Sequence, residues 1–251
     1  MTDIILSGCG GAMGRAVSAR AQSVGCTVVA GIDPADGLQP GYPVFASAAE
    51  CTAKAGVIVD FSHPSALEGL LELARRSGIP LVLATTGLDQ AQISRVREAS
   101  AQTPIFFSFN MSLGINLMSA LARTAARVLG GQFDIEIIEK HHNRKLDAPS
   151  GTAIMLAGAV SEELAQPPEY IHERHSKRQK RGKNEIGLHA VRGGTIVGEH
   201  ELLFAGPDET LSITHTAYSR EVFATGALNA ARFMQGKPPG LYDMNDLIGS
   251  G

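Results

Sequence analysis

The sequence predicts an α/β chain: a parallel sheet with crossover helices, then a smaller segment built on a mixed or antiparallel sheet. Three observations carry this. Five short apolar runs in the first half alternate with longer helical patterns, as buried parallel strands alternate with their crossovers. In the second half, strand-like stretches follow one another without intervening helices. A last helical pattern, from about Arg220 to Met234, precedes a short tail.

The elements follow in order. Ile4-Ile5-Leu6 is the first apolar run; glycines and a helical stretch from about Met13 to Val24 come after it. Thr27 to Ile32 is the second run. Val57-Ile58-Val59 is the third, followed by helical spacing through Leu67, Leu70, Leu71 and Ala74. Leu81-Val82-Leu83 and Ile105-Phe106-Phe107 are the fourth and fifth, with a helix from Asp89 to Ala99 between them. A helix with apolar positions Leu117, Leu121 and Val128 then leads to a strand from Phe133 to Ile138, and a second helix runs from about Thr152 to Leu164. Gln166 to Arg181 is polar and contains proline, which reads as a loop. Its basic run, Lys177-Arg178-Gln179-Lys180-Arg181, is read as a solvated stretch, with steering or covering of an acidic ligand as the sharper alternative. Ile186 to Val191, Thr195 to Phe204 and Thr210 to Thr216 read as strands.

Composition narrows the function class. The chain has 251 residues, 44% hydrophobic and 19% charged, enough for a sizeable core. A net charge of -3 argues against nucleic acid as a partner. Three cysteines, Cys9, Cys26 and Cys51, form no CxxC pair, so neither a disulfide framework nor a zinc knuckle is expected. The first residues lack a signal-peptide pattern, and no apolar run approaches the ~20 residues a membrane span needs. A soluble cytoplasmic protein is the expectation.

Gly8-Cys9-Gly10-Gly11-Ala12-Met13-Gly14 follows the first strand and opens a helix. It departs from GxGxxG letter for letter, but the physics is the same. Small residues permit a tight turn and let backbone N–H groups approach a pyrophosphate, which the helix N-terminus favours. Glycines also simply make turns, so context decides. The second strand ends at Ile32, and Asp33 lies 19 positions beyond Gly14, near the ~20-residue spacing of a ribose-binding carboxylate. Asp33 could instead be a turn residue before Pro34. A carboxylate accepts from a 2′-hydroxyl and repels a 2′-phosphate. No cation adjacent in sequence forms a clear 2′-phosphate clamp, although Arg15 and His63 are within conceivable reach. NADH is therefore expected to be preferred over NADPH, with NADPH the alternative.

The densest chemistry is Glu139-Lys140-His141-His142-Asn143-Arg144-Lys145-Leu146-Asp147-Ala148-Pro149-Ser150-Gly151-Thr152, between a strand and a helix. Histidine exchanges protons near neutral pH, and lysine donates a proton or holds an anion. Ser150 suits an N-cap, and the amides of Gly151 and Thr152 would then seat a substrate carboxylate. Adjacent histidines could bind metal, but no third ligand is evident and HExxH is absent, so no metal is expected. Either histidine alone could be a surface residue at a strand end.

This run resembles the signature of the dihydrodipicolinate reductase (4-hydroxy-tetrahydrodipicolinate reductase) family, E-x-H-H-x-x-K-x-D-A-P-S-G-T, and meets every fixed position. The resemblance covers nearly the whole chain. It includes Gly8 to Arg15, Val59-Asp60-Phe61-Ser62, Thr85-Thr86-Gly87, Asn110 to Asn116, Arg192-Gly193-Gly194, Val197 to His200 and Leu241-Tyr242-Asp243-Met244.

The resemblance implies a Rossmann-like dinucleotide-binding domain, residues 1–112 plus 221–251, with an inserted mixed-sheet α+β domain, residues 113–220, for substrate binding and oligomerisation into a homotetramer. It implies His141 as proton donor or acceptor and Lys145 as a second proton donor. His142, Gly151 and Thr152 would bind the carboxylates of a small dicarboxylate. Gly8, Cys9, Gly10, Gly11, Ala12, Met13 and Asp33 would hold the adenosine diphosphate. Ala84, Thr85 and Thr86, with Ser108, Phe109, Asn110 and Met111, would line the nicotinamide side. Two features depart from the pattern. Ala84 stands where the family often has glycine, and the arginines that NADPH-favouring members carry near Ala12 or Pro34 are missing. The reaction implied is reduction of 4-hydroxy-tetrahydrodipicolinate by NAD(P)H with loss of water, on the route to diaminopimelate and lysine. Rival readings are an NAD-dependent oxidoreductase acting on another amino-dicarboxylate, and an NADH-sensing protein without turnover.

Overall fold

The architecture is that of a computed structural model, which describes residues 1–249. In chain order the elements are β1 (Thr2–Ser7), α1 (Ala12–Arg20), β2 (Cys26–Ile32), β3 (Val44–Phe45), β4 (Val57–Asp60), α2 (Leu67–Ser77), β5 (Leu81–Leu83), α3 (Gln90–Ser100) and β6 (Pro104–Phe107). Then come α4 (Leu113–Leu129), β7 (Asp134–His141), α5 (Gly151–Ser161), β8 (Glu169–Ile171), β9 (Glu185–Arg192), β10 (Gly198–Ala205) and β11 (Thr210–Ala217). The chain closes with α6 (Glu221–Met234), β12 (Gly240–Tyr242) and α7 (Met244–Gly249). These sort into two compact units: residues 1–113 with the segment from 220 onward, and residues 114–219.

The first unit is a seven-stranded sheet of order β12-β6-β5-β4-β1-β2-β3, parallel throughout. Its strands are buried on both faces, which is why they read as unbroken apolar runs. Ile4, Leu6, Val57, Val59 and Phe106 pack with Val17 of α1 and Ala224, Ala227, Leu228 and Ala231 of α6. Ile5, Ile58, Leu81, Leu83 and Ile105 pack on the other face with Leu67, Leu70 and Leu71 of α2 and Val96 of α3. Helix starts follow capping chemistry. Asp89 and Gln92 form a capping box ahead of α3, and Gly78, in the left-handed region at φ +65°, ends α2.

The second unit is a five-stranded mixed sheet of order β11-β10-β7-β9-β8. β10 is antiparallel to β7 and β11, whereas β9 is parallel to β7 and β8. One face carries Ile135, Ile137, Ile186, Leu188, Leu202 and Phe204, packed against Ile115, Met118 and Ala122 of α4 and Leu156 and Val160 of α5.

Several boundaries differ from the sequence reading. α1 stops at Arg20, and Gln22–Val24 is a separate 3-10 turn ended by Gly25 at φ +77°. β3, β8, β12 and α7 escaped notice because two to six residues carry too little periodicity. β10 begins at Gly198, not Thr195. The apolar positions singled out on α4, Leu117, Leu121 and Val128, are 48%, 47% and 69% exposed. The buried face is instead Ile115, Met118, Ala122, Ala125 and Ala126, whose alanines let the helix lie close to its neighbours. The basic run is not uniformly solvated. Arg181 pairs with Asp134 and Glu136 and donates to the carbonyls of Ile135 and Glu185.

α6 owes its seat to a missing side chain. A Cβ on Gly226 would lie 1.6 Å from the carbonyl oxygen of Met111, a backbone atom that cannot step aside. Gly226→Ala is therefore expected to cost about 2 kcal/mol or more and to lower Tm by at least ~4 °C in a circular-dichroism melt. An unchanged Tm would refute this packing.

Candidate active site

The first unit builds a glycine turn at the carboxyl end of β1. Gly8 has φ +77°, and a Cβ there would meet the Phe61 carbonyl oxygen at 2.6 Å. A Cβ on Gly14 would meet the Gly8 oxygen at 2.2 Å, so α1 starts directly against the turn. Only glycine fits either place. Asp33 closes the turn from β2: its Oδ2 accepts from the Gly10 amide at 2.9 Å and its Oδ1 from the Ala35 amide at 3.0 Å. Beside it lies a cavity of about 560 Å³ lined by Gly8, Gly11, Asp33, Pro34, Ser62 and His63, among others. A glycine cradle, a helix N-terminus and an acidic residue beside one cavity fit the adenosine end of a dinucleotide.

The other residues expected around a dinucleotide fall into two groups. The Cys9 side chain is buried beneath Gly31, and burial first, then Asp33, pushes its thiol up. Met13 and Met111 pack in the core on the α1–α6 side. For the buried Cys9 and Met111 the backbone, not the side chain, is what a ligand could meet. Ala84 and Thr85 are buried just beyond β5, Phe109 is exposed, and the Ser108 hydroxyl donates to the Asn110 carbonyl at 2.8 Å. Sequence reasoning named the stretch around Asp60 but gave no role to this residue, which organises the region. Asp60, fully buried at the end of β4, accepts from the Ser62 amide (3.0 Å), the Ser62 hydroxyl and the Thr85 hydroxyl. Burial pushes its carboxyl up, and the donors around it pull back.

The second unit holds the His/Lys cluster. Along β7 the buried face takes alternate residues, Ile135, Ile137, Glu139 and His141, as the two-residue period of a strand dictates. Glu139 and His141 thus share one face, and Nδ1 of His141 lies 2.6 Å from Oε2 of Glu139. Arg192, at the end of β9, donates to both Glu139 oxygens, each at 2.7 Å, and to the Asp147 carbonyl at 2.6 Å. The Ser150 amide donates to Oε1 at 3.0 Å. Burial alone would raise the Glu139 carboxyl, but the Arg192 fork and His141 outweigh it and hold it below the ordinary range. Lys145 pairs with Asp147 at 2.8 Å, and this contact first of all holds the Asp147 carboxyl low.

Ser150 is the N-cap of α5, its hydroxyl accepting from the Ala153 amide at 3.2 Å. Gly151, exposed and with open space around its Cα, begins the helix. An anion is favoured there by the partial positive charge of the helix start. Among the described residues no group of three or more His, Cys, Asp or Glu could hold a metal ion.

His200 on β10 was not anticipated as part of this cluster. It is buried, its Nε2 lies 3.0 Å from the Ser150 hydroxyl, and its ring meets that of His141 edge to face, centroids 5.2 Å apart. Burial first, then His141, lowers it to about 4, so it is neutral at neutral pH. Its folded value is depressed, so the unfolded chain binds the proton more readily and stability is lost as pH falls from about 6.5 toward 4. Between pH 7 and pH 5 the wild type is expected to lose about 2 kcal/mol through this group, measurable as a change in denaturant unfolding that His200→Gln abolishes. Equal pH sensitivity in both proteins would contradict it.

Residues 2–111 match the family profile described as "Dihydrodipicolinate reductase, N-terminus", and residues 114–248 match "Dihydrodipicolinate reductase, C-terminus". The 4-hydroxy-tetrahydrodipicolinate reductase of Caldanaerobacter subterraneus subsp. tengcongensis is 50% identical, with 100% of each chain covered. That of Clostridium novyi is 47% identical, covering 100% of this chain and 99% of the other. A solved structure of dipicolinate-bound dihydrodipicolinate reductase from Paenisporosarcina sp. TG-14 superposes with a TM-score of 0.81 at 24% identity, covering 98% of this chain and 99% of that one, a likeness of fold. With both profiles matched and relatives this similar from end to end, the chain belongs to the dihydrodipicolinate reductase family.

Proposed function

We propose that the chain is a 4-hydroxy-tetrahydrodipicolinate reductase in the diaminopimelate route to lysine, in which residues 1–112 with 221–251 bind the dinucleotide and residues 113–220 bind substrate. One observation carries the assignment of roles. His141, Lys145 and the start of α5 lie in one short segment of one compact unit, with Glu139 buried between the histidine and the helix.

Loss of water from 4-hydroxy-tetrahydrodipicolinate leaves a dihydropyridine ring; a bound reduced nicotinamide supplies a hydride for C4 and a protein acid supplies a proton for C3, giving tetrahydrodipicolinate. His141 is the proton donor in this scheme, and Lys145 a second donor that also offers charge to a carboxylate. His142 and the first-turn residues Gly151 and Thr152 hold the substrate carboxylates. A dicarboxylate suits a cationic segment in a protein whose net charge is -3. His141→Ala and Lys145→Ala are each expected to lower kcat by about 10²- to 10⁴-fold, followed spectrophotometrically with freshly generated substrate. Turnover near wild type in both would overturn the roles.

The dinucleotide is held by Gly8 to Met13 and Asp33, with Ala84 to Thr86 and Ser108 to Met111 toward the nicotinamide. NADH is the preferred cofactor and NADPH the alternative. In support, the Asp33 carboxylate stands at the turn, and Arg15 turns a guanidinium nitrogen back to the Gly10 carbonyl. A homotetramer in the cytoplasm completes the proposal; among the described residues no helix is long and apolar enough to cross a membrane. The expected outcome is a lower KM for NADH than for NADPH, and a KM for NADPH far below that for NADH would reverse the preference.

A further inference from the structure

An imidazole can exchange a proton through either nitrogen, and its neutral tautomer is set by what the other nitrogen meets. At His141 the two nitrogens face different surroundings. Nδ1 lies 2.6 Å from Oε2 of Glu139. Nε2 lies toward Gly198, where an added Cβ would stand 3.1 Å away, so glycine keeps that nitrogen clear. Glu139 cannot turn aside. It is fully buried, both oxygens are gripped by Arg192 at 2.7 Å, and Oε1 also takes the Ser150 amide at 3.0 Å.

We propose that Glu139 is the positioning residue of this site: clamped by Arg192, it keeps the proton on Nδ1 of His141, so that Nε2 is the nitrogen that gives the proton up, and through its other oxygen it holds the Ser150 amide at the start of α5. One carboxylate thereby fixes the proton donor and the carboxylate seat against each other. The role in turnover rests on the proposed reaction; the tautomer does not.

Glu139→Gln discriminates because every other neighbour of the carboxylate is a donor: both Arg192 Nη atoms and the Ser150 amide. The amide oxygen is best spent on Arg192 Nη2 and the Ser150 amide, which turns the NH₂ toward His141. That group donates to Nδ1 and drives the ring proton to Nε2. The experiment records 15N imidazole shifts of His141 in the labelled chain, with steady-state kinetics of both proteins. The wild type is expected to hold neutral His141 as the Nδ1–H tautomer. Glu139→Gln is expected to reverse it and to lower kcat about 100-fold or more, with substrate KM within about threefold. A wild-type Nε2–H tautomer overturns the proposal and needs no variant to fold. So does a Glu139→Gln protein whose tautomer is unchanged, or whose kcat stays within about threefold of wild type. A wild-type chain that fails to reduce 4-hydroxy-tetrahydrodipicolinate overturns the functional assignment, and with it the part in turnover, while the spectrum still decides whether Glu139 sets the tautomer.

Discussion

Glu139 has no exposed surface, yet it carries a charge at neutral pH. Such a group persists only if its partners are all in place, since an uncompensated buried charge costs about 3–5 kcal/mol. Its partners come from three elements: His141 on the same strand, Arg192 from β9 and Ser150 at the head of α5. The demand therefore reaches into the fold. In the register of β7 with β9, His141 stands opposite Arg192 and Glu139 opposite Ala190. A slip of one residue would turn Glu139 out of the buried face and break the clamp. Sheet register and site geometry in the second unit are thus one constraint.

The first unit gathers its site by topology. From β1 the chain moves outward to β2 and β3, then returns to place β4 on the other side of β1. Ligands of open parallel sheets lie where the strand order reverses in this way, beyond the carboxyl ends. The registers bring Ser7 beside both Ile32 and Asp60, and Asp60 beside Leu83. The loops that follow these strands carry Gly8, Asp33, Ser62 and Thr85. Asp60, the last residue of β4, ties two of them together through Ser62 and Thr85, a polar knot where the apolar runs of the strands end.

His200 brings a different kind of constraint. Its neutral ring is packed between the N-cap of α5 and the ring of His141. A group held uncharged by burial adds no net charge beside the Glu139–Arg192 pair. It supports the N-cap without competing for the carboxylate.

Residue order alone was enough for the alternation of strands and helices in the first half, the glycine turn with Asp33, and the compact run from Glu139 to Thr152. Each of these is a local pattern: a period, a spacing or a cluster within fourteen residues. Ser150 as an N-cap was legible for the same reason, because capping needs only the next three residues. What lay beyond reach was pairing across distance. Arg192 meets Glu139 from 53 residues away and His200 meets Ser150 from 50, and nothing in the intervening sequence marks either pair. The choice of face on α4 was equally hidden. Both Leu117 with Leu121 and Ile115 with Met118 satisfy helical spacing, and only packing selects the second. Local periodicity comes from backbone geometry and can be read along the chain. Which donor meets a buried carboxylate depends on sheet register and helix docking, and these exist only once the chain has folded.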